Sequence, residues 1–119
     1  MAQPDYTPEL TKALSERILV LDGAMGTTIR GYGVSEKETR GERFADLEKD
    51  VLNNGDLLSL TKPEVIGDIH KRFYEAGSDI CETNTFSATT IAQSEFFFDD
   101  PRESGGRKDQ DFFQEIIED

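Results

Sequence analysis

The sequence predicts an α/β fold in which parallel strands are joined by helices. A short aliphatic run from Ile18 to Leu21 has no polar alternation, which is typical of a strand covered on both faces. A second run of strand character extends from Asp79 to Phe86. An amphipathic segment from Lys62 to Ala76 lies between the two runs. The order strand, connection, helix, strand indicates a parallel pair with a right-handed helical crossover.

Three further segments have helical features. A leading helix is predicted over residues 5 to 17, because Thr7 and Pro8 favour a helix start and apolar residues follow at helical spacing. A short helical turn is predicted over residues 24 to 31, ending near Gly31 and Gly33. The highly charged stretch from residue 35 to residue 50 is also expected to contain some helix.

The helix from Lys62 to Ala76 has the clearest boundaries. Thr61 and Glu64 have the spacing of a capping box, and Pro63 is tolerated in a first turn. Gly77 fits the position just past the helix end, where a left-handed conformation is common. The predicted buried stripe consists of Ile66, Ile69, Phe73 and Ala76.

Candidate binding residues follow both predicted strands. Asp22 ends the first strand, and ligands bind at the carboxyl ends of strands in α/β folds. A turn then follows in which glycines allow close approach of a ligand and amides can hold an anion; its residues are Gly23, Ala24, Met25, Gly26 and Thr27. Asn84 and Thr85, near the end of the second strand, also offer hydrogen-bonding groups. A carboxylate beside amide donors suits a zwitterionic amino acid, whereas the glycine spacing alone is more often that of a tight turn.

The chain contains one cysteine and one histidine, so an internal disulfide is excluded. Cys81 lies within a predicted strand and is expected to be a small buried residue. His70 lies off the predicted apolar stripe and is expected to be a solvated surface residue. A protein zinc site needs three or four ligands, usually thiolate or imidazole. We therefore expect no zinc site within this chain.

Charge excludes two classes of partner. The 119 residues include 25 acidic and 13 basic residues, giving a formal charge of −12 that repels nucleic-acid phosphates and anionic lipid surfaces. No apolar run approaches the roughly 20 residues that span a bilayer. The amino-terminal residues lack a basic region followed by an apolar one. We predict a soluble, cytoplasmic protein with no nucleic-acid or membrane partner.

The carboxyl-terminal segment differs in character from the rest. The aromatic run from Phe96 to Phe98 precedes two aspartates and Pro101, and is expected to pack or to form an exposed interaction patch. Residues 102–110 have the composition of a flexible linker. One or two acidic amphipathic helical turns are predicted over residues 111–119.

Five motifs in one order resemble the homocysteine S-methyltransferase domain of cobalamin-dependent methionine synthases. The resemblance covers about residues 15 to 95, and the Arg40 to Phe44 element favours this group over the stand-alone homocysteine or betaine methyltransferases. The motifs span residues 21–27, 40–44, 56–63, 75–80 and 82–86.

The resemblance implies a (β/α)8 TIM-type barrel in which homocysteine binds at the carboxyl ends of the strands. It also implies that zinc activates the homocysteine thiol, since coordinated thiols ionise, and that methylcobalamin donates the methyl group that yields methionine. Carried over by motif, Asp22 would receive the substrate ammonium. The amides of residues 23–27 would lie near the substrate carboxylate, and Asn84 and Thr85 would line the same pocket. These roles are binding and orientation, with no catalytic residue assigned.

The departures from the family pattern predict a partial barrel. The family's zinc ligands are cysteines of later strands, and no residue of this chain corresponds to them. A (β/α)8 barrel takes about 250 residues, so we expect an amino-terminal fragment containing the first βα units. Residues 1–95 are assigned to the homocysteine-binding barrel domain and residues 96–119 to a divergent acidic tail. The remainder of the barrel and other methionine synthase domains are the expected protein partners.

Two other functions fit parts of the sequence. A non-catalytic interaction module could use the Phe96 to Phe98 run and the acidic tail to bind a partner or its own copies. A different amino-acid or phosphate-binding barrel could share the glycine turn, because helix starts bind anions generally.

Overall fold

The structure, a computed structural model, describes residues 4–97, which are mostly helical. A 3₁₀ turn at Gly55–Leu57 continues directly into the fourth helix. Among the described residues, no helix is both long and apolar enough to cross a membrane. The helices are α1 (Thr7–Glu16), α2 (Met25–Gly31), α3 (Glu36–Arg40), α4 (Leu58–Thr61), α5 (Pro63–Glu75) and α6 (Thr90–Phe97).

The two predicted strands meet in a single parallel bridge between Leu21 and Ile80. The flanking backbone bonds run from Asp79 N to Val20 O at 2.8 Å and from Asp22 N to Ile80 O at 2.9 Å. The predicted parallel pairing is therefore confirmed. The prediction of strands over residues 18–21 and 79–86 is wrong, because the described residues contain only this isolated bridge. Parallel strands normally need cover on both faces, and a two-stranded pair is marginal by itself. The first segment lacks that cover, with Ile18 88% exposed.

The predicted helices near residues 5–17, 24–31 and 62–76 are confirmed as α1, α2 and α5. The charged stretch forms α3, which begins with a capping box. There Ser35 Oγ accepts from Glu38 N at 3.3 Å, and Ser35 N donates to Glu38 Oε2 at 2.9 Å.

The capping box predicted at the start of α5 is wrong. Thr61 belongs to α4, and its hydroxyl donates to the carbonyls of Thr39 and Leu57 at 2.8 and 3.1 Å. Lys62 is the residue before α5, with φ −142° and no side-chain capping bond. Because the residue before a proline is forced out of the helical region, Pro63 separates α4 from α5.

The buried stripe of α5 is shorter than predicted. Ile66 and Ile69 are buried and Phe73 is half-buried, but Ala76 is exposed because the helix ends at Glu75. The predicted role of Gly77 is confirmed, since it has φ +111° just past the helix end. The next amide, Ser78 N, donates to Phe73 O at 3.0 Å and turns the chain toward the bridge.

A small apolar core lies on one side of the molecule. It is formed by Phe44, Val51, Leu57 and Ala88. Phe96 and Phe97 of α6 pack against this core, and the Phe97 ring meets the Phe44 ring edge-on at 5.9 Å between centroids. Packing is thus confirmed for two members of the predicted aromatic run. Phe98, the linker at 102–110 and the turns at 111–119 lie outside the described residues.

Arg40 organises the loop that follows α3. Its guanidinium bonds Glu36 at 2.6 Å and donates to the carbonyls of Phe44, Leu47 and Lys49. The side chain is only 16% exposed, so these bonds are largely shielded from water. The Arg40 to Phe44 motif therefore has a structural role, because it folds the chain back onto the core.

Candidate functional site

Asp22 lies directly after the bridge, where the first segment ends. Its Oδ1 accepts a 2.9 Å hydrogen bond from Glu82 N, across from its own backbone bond to Ile80. The side chain is only 4% exposed. The Glu82 hydrogen bond, with the neighbouring Cys81 and His70 side chains, holds the pKa of Asp22 below its ordinary value. Asp22 is therefore a shielded carboxylate that stays ionised.

His70 of α5 faces this carboxylate. Its Nδ1 lies 3.6 Å from Asp22 Oδ2, too far for a direct hydrogen bond, and this buried nitrogen has no hydrogen-bond partner among residues 4–97. The expectation of a solvated surface residue is wrong. His70 follows Ile66 by four residues and precedes Phe73 by three, so it shares the inward face of α5 with them.

Cys81 completes the cluster from the second segment. It is half-buried rather than part of the apolar core, so the expectation of a plain core residue is also wrong. Burial and the nearby Asp22 raise the pKa of the thiol, and contact with Cys81 raises the pKa of Tyr74. The thiol thus lies among polar groups at the end of the bridge.

Asp22, His70 and Cys81 bring one carboxylate, one imidazole and one thiol together. Their potential ligand atoms all lie within 4.8 Å of one another. All three are residue types that bind zinc, so the donor set fits that ion. Sequence reasoning treated the three separately and missed this grouping. The predicted parallel pairing of the two segments was the available signal for Asp22 and Cys81, and the structure sets its register by pairing Leu21 with Ile80.

The glycine turn after Asp22 begins α2. Ala24 has φ +52°, a left-handed conformation rare for a residue with a side chain, and its carbonyl accepts from Thr28 N at 2.9 Å. A Cβ added at Gly23 or Gly26 would meet no atom of the described residues within 4 Å. The turn therefore borders open space on the side of both glycines.

The Asn84 and Thr85 side chains bond to groups outside the Asp22 cluster. Asn84 is buried, and its Nδ2 donates to Gly55 O at 2.9 Å and Ser59 Oγ at 3.1 Å. Thr85 Oγ1 pairs with Thr83 Oγ1 at 2.8 Å. Within residues 4–97 neither side chain hydrogen-bonds to Asp22.

The loop carrying Asn84 and Thr85 is anchored by buried polar groups. Asp56 Oδ2 accepts from Ser87 N at 2.8 Å, and burial raises the pKa of this carboxyl. Asn54 Nδ2 donates to Gln93 Oε1 at 2.7 Å, and both side chains are buried. These bonds tie the loop and α6 to the turn before α4.

An ion pair closes the opposite end of the bridge. Arg17 binds Asp79 through two bonds of 2.8 and 2.6 Å, and Asp79 Oδ2 also accepts from Val20 N at 2.9 Å. The Arg17 guanidinium is the main cause that lowers the pKa of Asp79 to about 2. The ionised carboxylate thus links the first segment to the second.

We expect the Arg17 and Asp79 pair to make stability depend on pH in the acid range. Because folding lowers the pKa of Asp79 from 3.8, its contribution is present above about pH 4 and is lost as the pH falls through about 2. Urea unfolding across this range should show the loss in the wild type and a smaller loss in Arg17→Gln. Arg30→Gln, an arginine change in the last turn of α2, is the control. Equal pH slopes in all three proteins would contradict the prediction.

One comparison with known proteins bears on this site. A family model described as homocysteine S-methyltransferase matches residues 19–108, more than half of the chain. The match includes Asp22, the glycine turn, His70, Cys81 and Asn84. It extends past residue 95, and the domain boundary placed there stays a prediction.

Proposed function

This chain belongs to the homocysteine S-methyltransferase family, and from that premise we propose that it forms part of a barrel that methylates homocysteine to methionine. The role of the described residues is to bind and orient the amino-acid end of the substrate. The wider barrel, of the cobalamin-dependent methionine synthase type, is part of the proposal and rests on the resemblance of the sequence motifs.

Asp22 is the residue that we assign to the substrate ammonium. A shielded carboxylate with a lowered pKa keeps its negative charge at neutral pH, and Oδ1 is already fixed by Glu82 N. Its second oxygen, Oδ2, is the one that faces His70. Charge-assisted hydrogen bonds are stronger than neutral ones, so an ammonium on Oδ2 would be held in one orientation. This ionised carboxylate at the end of the bridge is the observation that carries the proposal.

The turn from Gly23 to Thr27 is assigned to the substrate carboxylate. The open space beside Gly23 and Gly26 supports this assignment, since backbone amides can bind an anion only where no side chain blocks approach. Asn84 and Thr85 complete the proposed pocket. Because Asn84 Nδ2 is engaged by Gly55 and Ser59, its Oδ1 is the atom left for the substrate.

The reaction joins the homocysteine sulfur to a methyl carbon, and the bond between that carbon and its donor breaks. In the proposed enzyme, cysteines of later strands would hold a zinc ion that ionises the homocysteine thiol as its proton passes to solvent, and methylcobalamin would be the methyl donor. The described residues fix the amino and carboxylate groups and thereby direct the thiol away from Asp22. Orientation of this kind lowers the entropic cost of reaching the transition state.

Calorimetric titration of the full chain with homocysteine tests the proposal. Asp22→Asn is expected to weaken binding by about 10- to 100-fold, because a charged hydrogen bond is replaced by a neutral one. The same titration with 4-mercaptobutanoate, which lacks the ammonium, should show no difference between wild type and variant. Asp46→Asn, an exposed change in the turn after α3, serves as the matched control.

Two results would overturn the proposal. One is an Asp22→Asn protein that binds homocysteine as well as the wild type. The other is an equal loss of affinity for homocysteine and 4-mercaptobutanoate, which would show that Asp22 does not recognise the ammonium.

A further inference from the structure

We propose that Asp22, His70 and Cys81 form a binding site for one zinc-class divalent cation, separate from the zinc ligands that the resemblance assigns to later strands. The three residues come from the first segment, from α5 and from the second segment. The site goes beyond the proposed function, which gives His70 and Cys81 no role.

The spacing of the ligand atoms suits a tetrahedral ion. Zinc bonds of 2.0 to 2.3 Å place neighbouring tetrahedral ligands about 3.5 Å apart. Asp22 Oδ2 and His70 Nδ1 are already 3.6 Å apart, and all three ligand atoms lie within 4.8 Å. Because the separations reach at most 4.8 Å, the set would have to contract by about 1 Å to bind the ion at these bond lengths.

The unpartnered nitrogen of His70 is independent support. Buried polar atoms nearly always have a hydrogen-bond partner, whereas His70 Nδ1 has none in the part of the chain that the structure describes. A neutral imidazole protonated on Nε2 presents a lone pair at Nδ1. Nδ1 lies beside the Asp22 carboxylate and the Cys81 thiol, which are also metal-binding groups. A cation bound by all three would accept the Nδ1 lone pair.

The charges of the ligands balance those of the cation. Asp22 carries one negative charge, and Cys81 supplies a second when its Sγ–H proton leaves for solvent as the sulfur–metal bond forms. Without a cation, burial and the nearby Asp22 both disfavour the thiolate and raise the pKa of Cys81. Thiolate and imidazole ligands select zinc-class ions over magnesium and calcium, which prefer oxygen.

The fourth position of the site is left for water. All three residues are only partly buried, so the cluster is not sealed from solvent. Three protein ligands and one open position form the arrangement of reactive rather than purely structural zinc sites. The cation would use the Asp22 oxygen that the proposed function gives to the substrate ammonium, so the two ligands should exclude each other.

Cobalt(II) titration of the metal-free, 119-residue chain is the test. Because Cys81 is the only cysteine, a thiolate-to-cobalt absorption band at one equivalent reports this residue alone. Zinc should abolish the band, and excess magnesium should not. We expect His70→Gln and Cys81→Ser to weaken cobalt binding by about 100-fold or more, since even residues that only support ligands matter by 10- to 100-fold.

Glu82→Gln is the matched control, because it changes an exposed carboxylate beside Cys81 and keeps the backbone amide that binds Asp22. It should bind cobalt as the wild type does. Nitrogen NMR of the single histidine gives a readout that needs no variant, with zinc expected to shift Nδ1 as the bonded atom. Bonding through Nε2, or a missing thiolate band, would overturn the site. Cobalt affinity unchanged in both His70→Gln and Cys81→Ser would show only diffuse attraction to the acidic surface.

The two proposals fail in different ways. His70→Gln should lose cobalt binding while keeping Asp22 available to the homocysteine ammonium. Wild-type cobalt binding with no homocysteine binding would leave the metal site standing and reject the proposed function.

Discussion

Replacing Arg40 with alanine is expected to lower the free energy of unfolding by about 3 kcal/mol, since a largely shielded ion pair and three carbonyl bonds are lost together. Glu36 would keep its charge without the cation that now binds it at 2.6 Å. The carbonyls of Phe44, Leu47 and Lys49 would need water in place of the guanidinium. Urea unfolding followed by circular dichroism measures the change.

Two further variants separate the geometry of Arg40 from its charge. Arg40→Lys keeps the charge but not the planar fork, and should recover less than half of the lost stability. Lys37→Ala removes a charge from the exposed side of the same helix and should cost less than about 0.5 kcal/mol. A similar small loss in Arg40→Ala and Lys37→Ala would show that the carbonyl bonds contribute little.

Leu57→Ala is expected to cost about 2–5 kcal/mol, the range for truncating a fully buried leucine. Leu57 is 0% exposed in the core with Phe44, Val51 and Ala88. The apolar contacts are lost, and a cavity remains where the side chain was. Thermal and urea unfolding should both show the loss.

Leu52→Ala is the control for this effect, because it makes the same chemical change at a side chain that is 49% exposed. It should change stability by less than about 1 kcal/mol. If Leu52→Ala destabilised the chain as much as Leu57→Ala, the assigned core would be incorrect.

The stability losses expected for Arg40→Ala and Leu57→Ala matter for interpreting functional data on this chain. Small domains are stable by only about 0.05–0.15 kcal/mol per residue, so either loss would be a large share of the total. Binding losses at Asp22, His70 or Cys81 therefore need a parallel measurement of unfolding. Only a loss of binding with unchanged stability assigns a side chain to the site.

Local patterns in the sequence were sufficient for α1, α2, α3 and α5 and for the position of Asp22, whereas α4 and α6 were not predicted. Apolar spacing, Pro63 and Gly77 located α5, because helix formation depends on residues within a few positions of each other. The carboxylate at the end of the first segment followed from the break between an aliphatic run and a glycine turn. The family could be identified at this level too, since its motifs are contiguous stretches of sequence.

Pairing over long distances needed the folded chain. Residues 22, 70 and 81 meet because the folded chain brings His70 of α5 to the end of the bridge, with its Nδ1 3.6 Å from Asp22 Oδ2. The wrong prediction of a capping box at Thr61 has a similar origin. The Thr61 hydroxyl donates instead to the backbone carbonyl of Thr39, which belongs to a separate helix, α3. Contacts between distant residues depend on how whole faces pack, and no window of sequence contains that information. Four of the helices and the position of the Asp22 carboxylate were thus local properties, whereas the Asp22, His70 and Cys81 cluster and the extent of strand pairing were decided by tertiary packing.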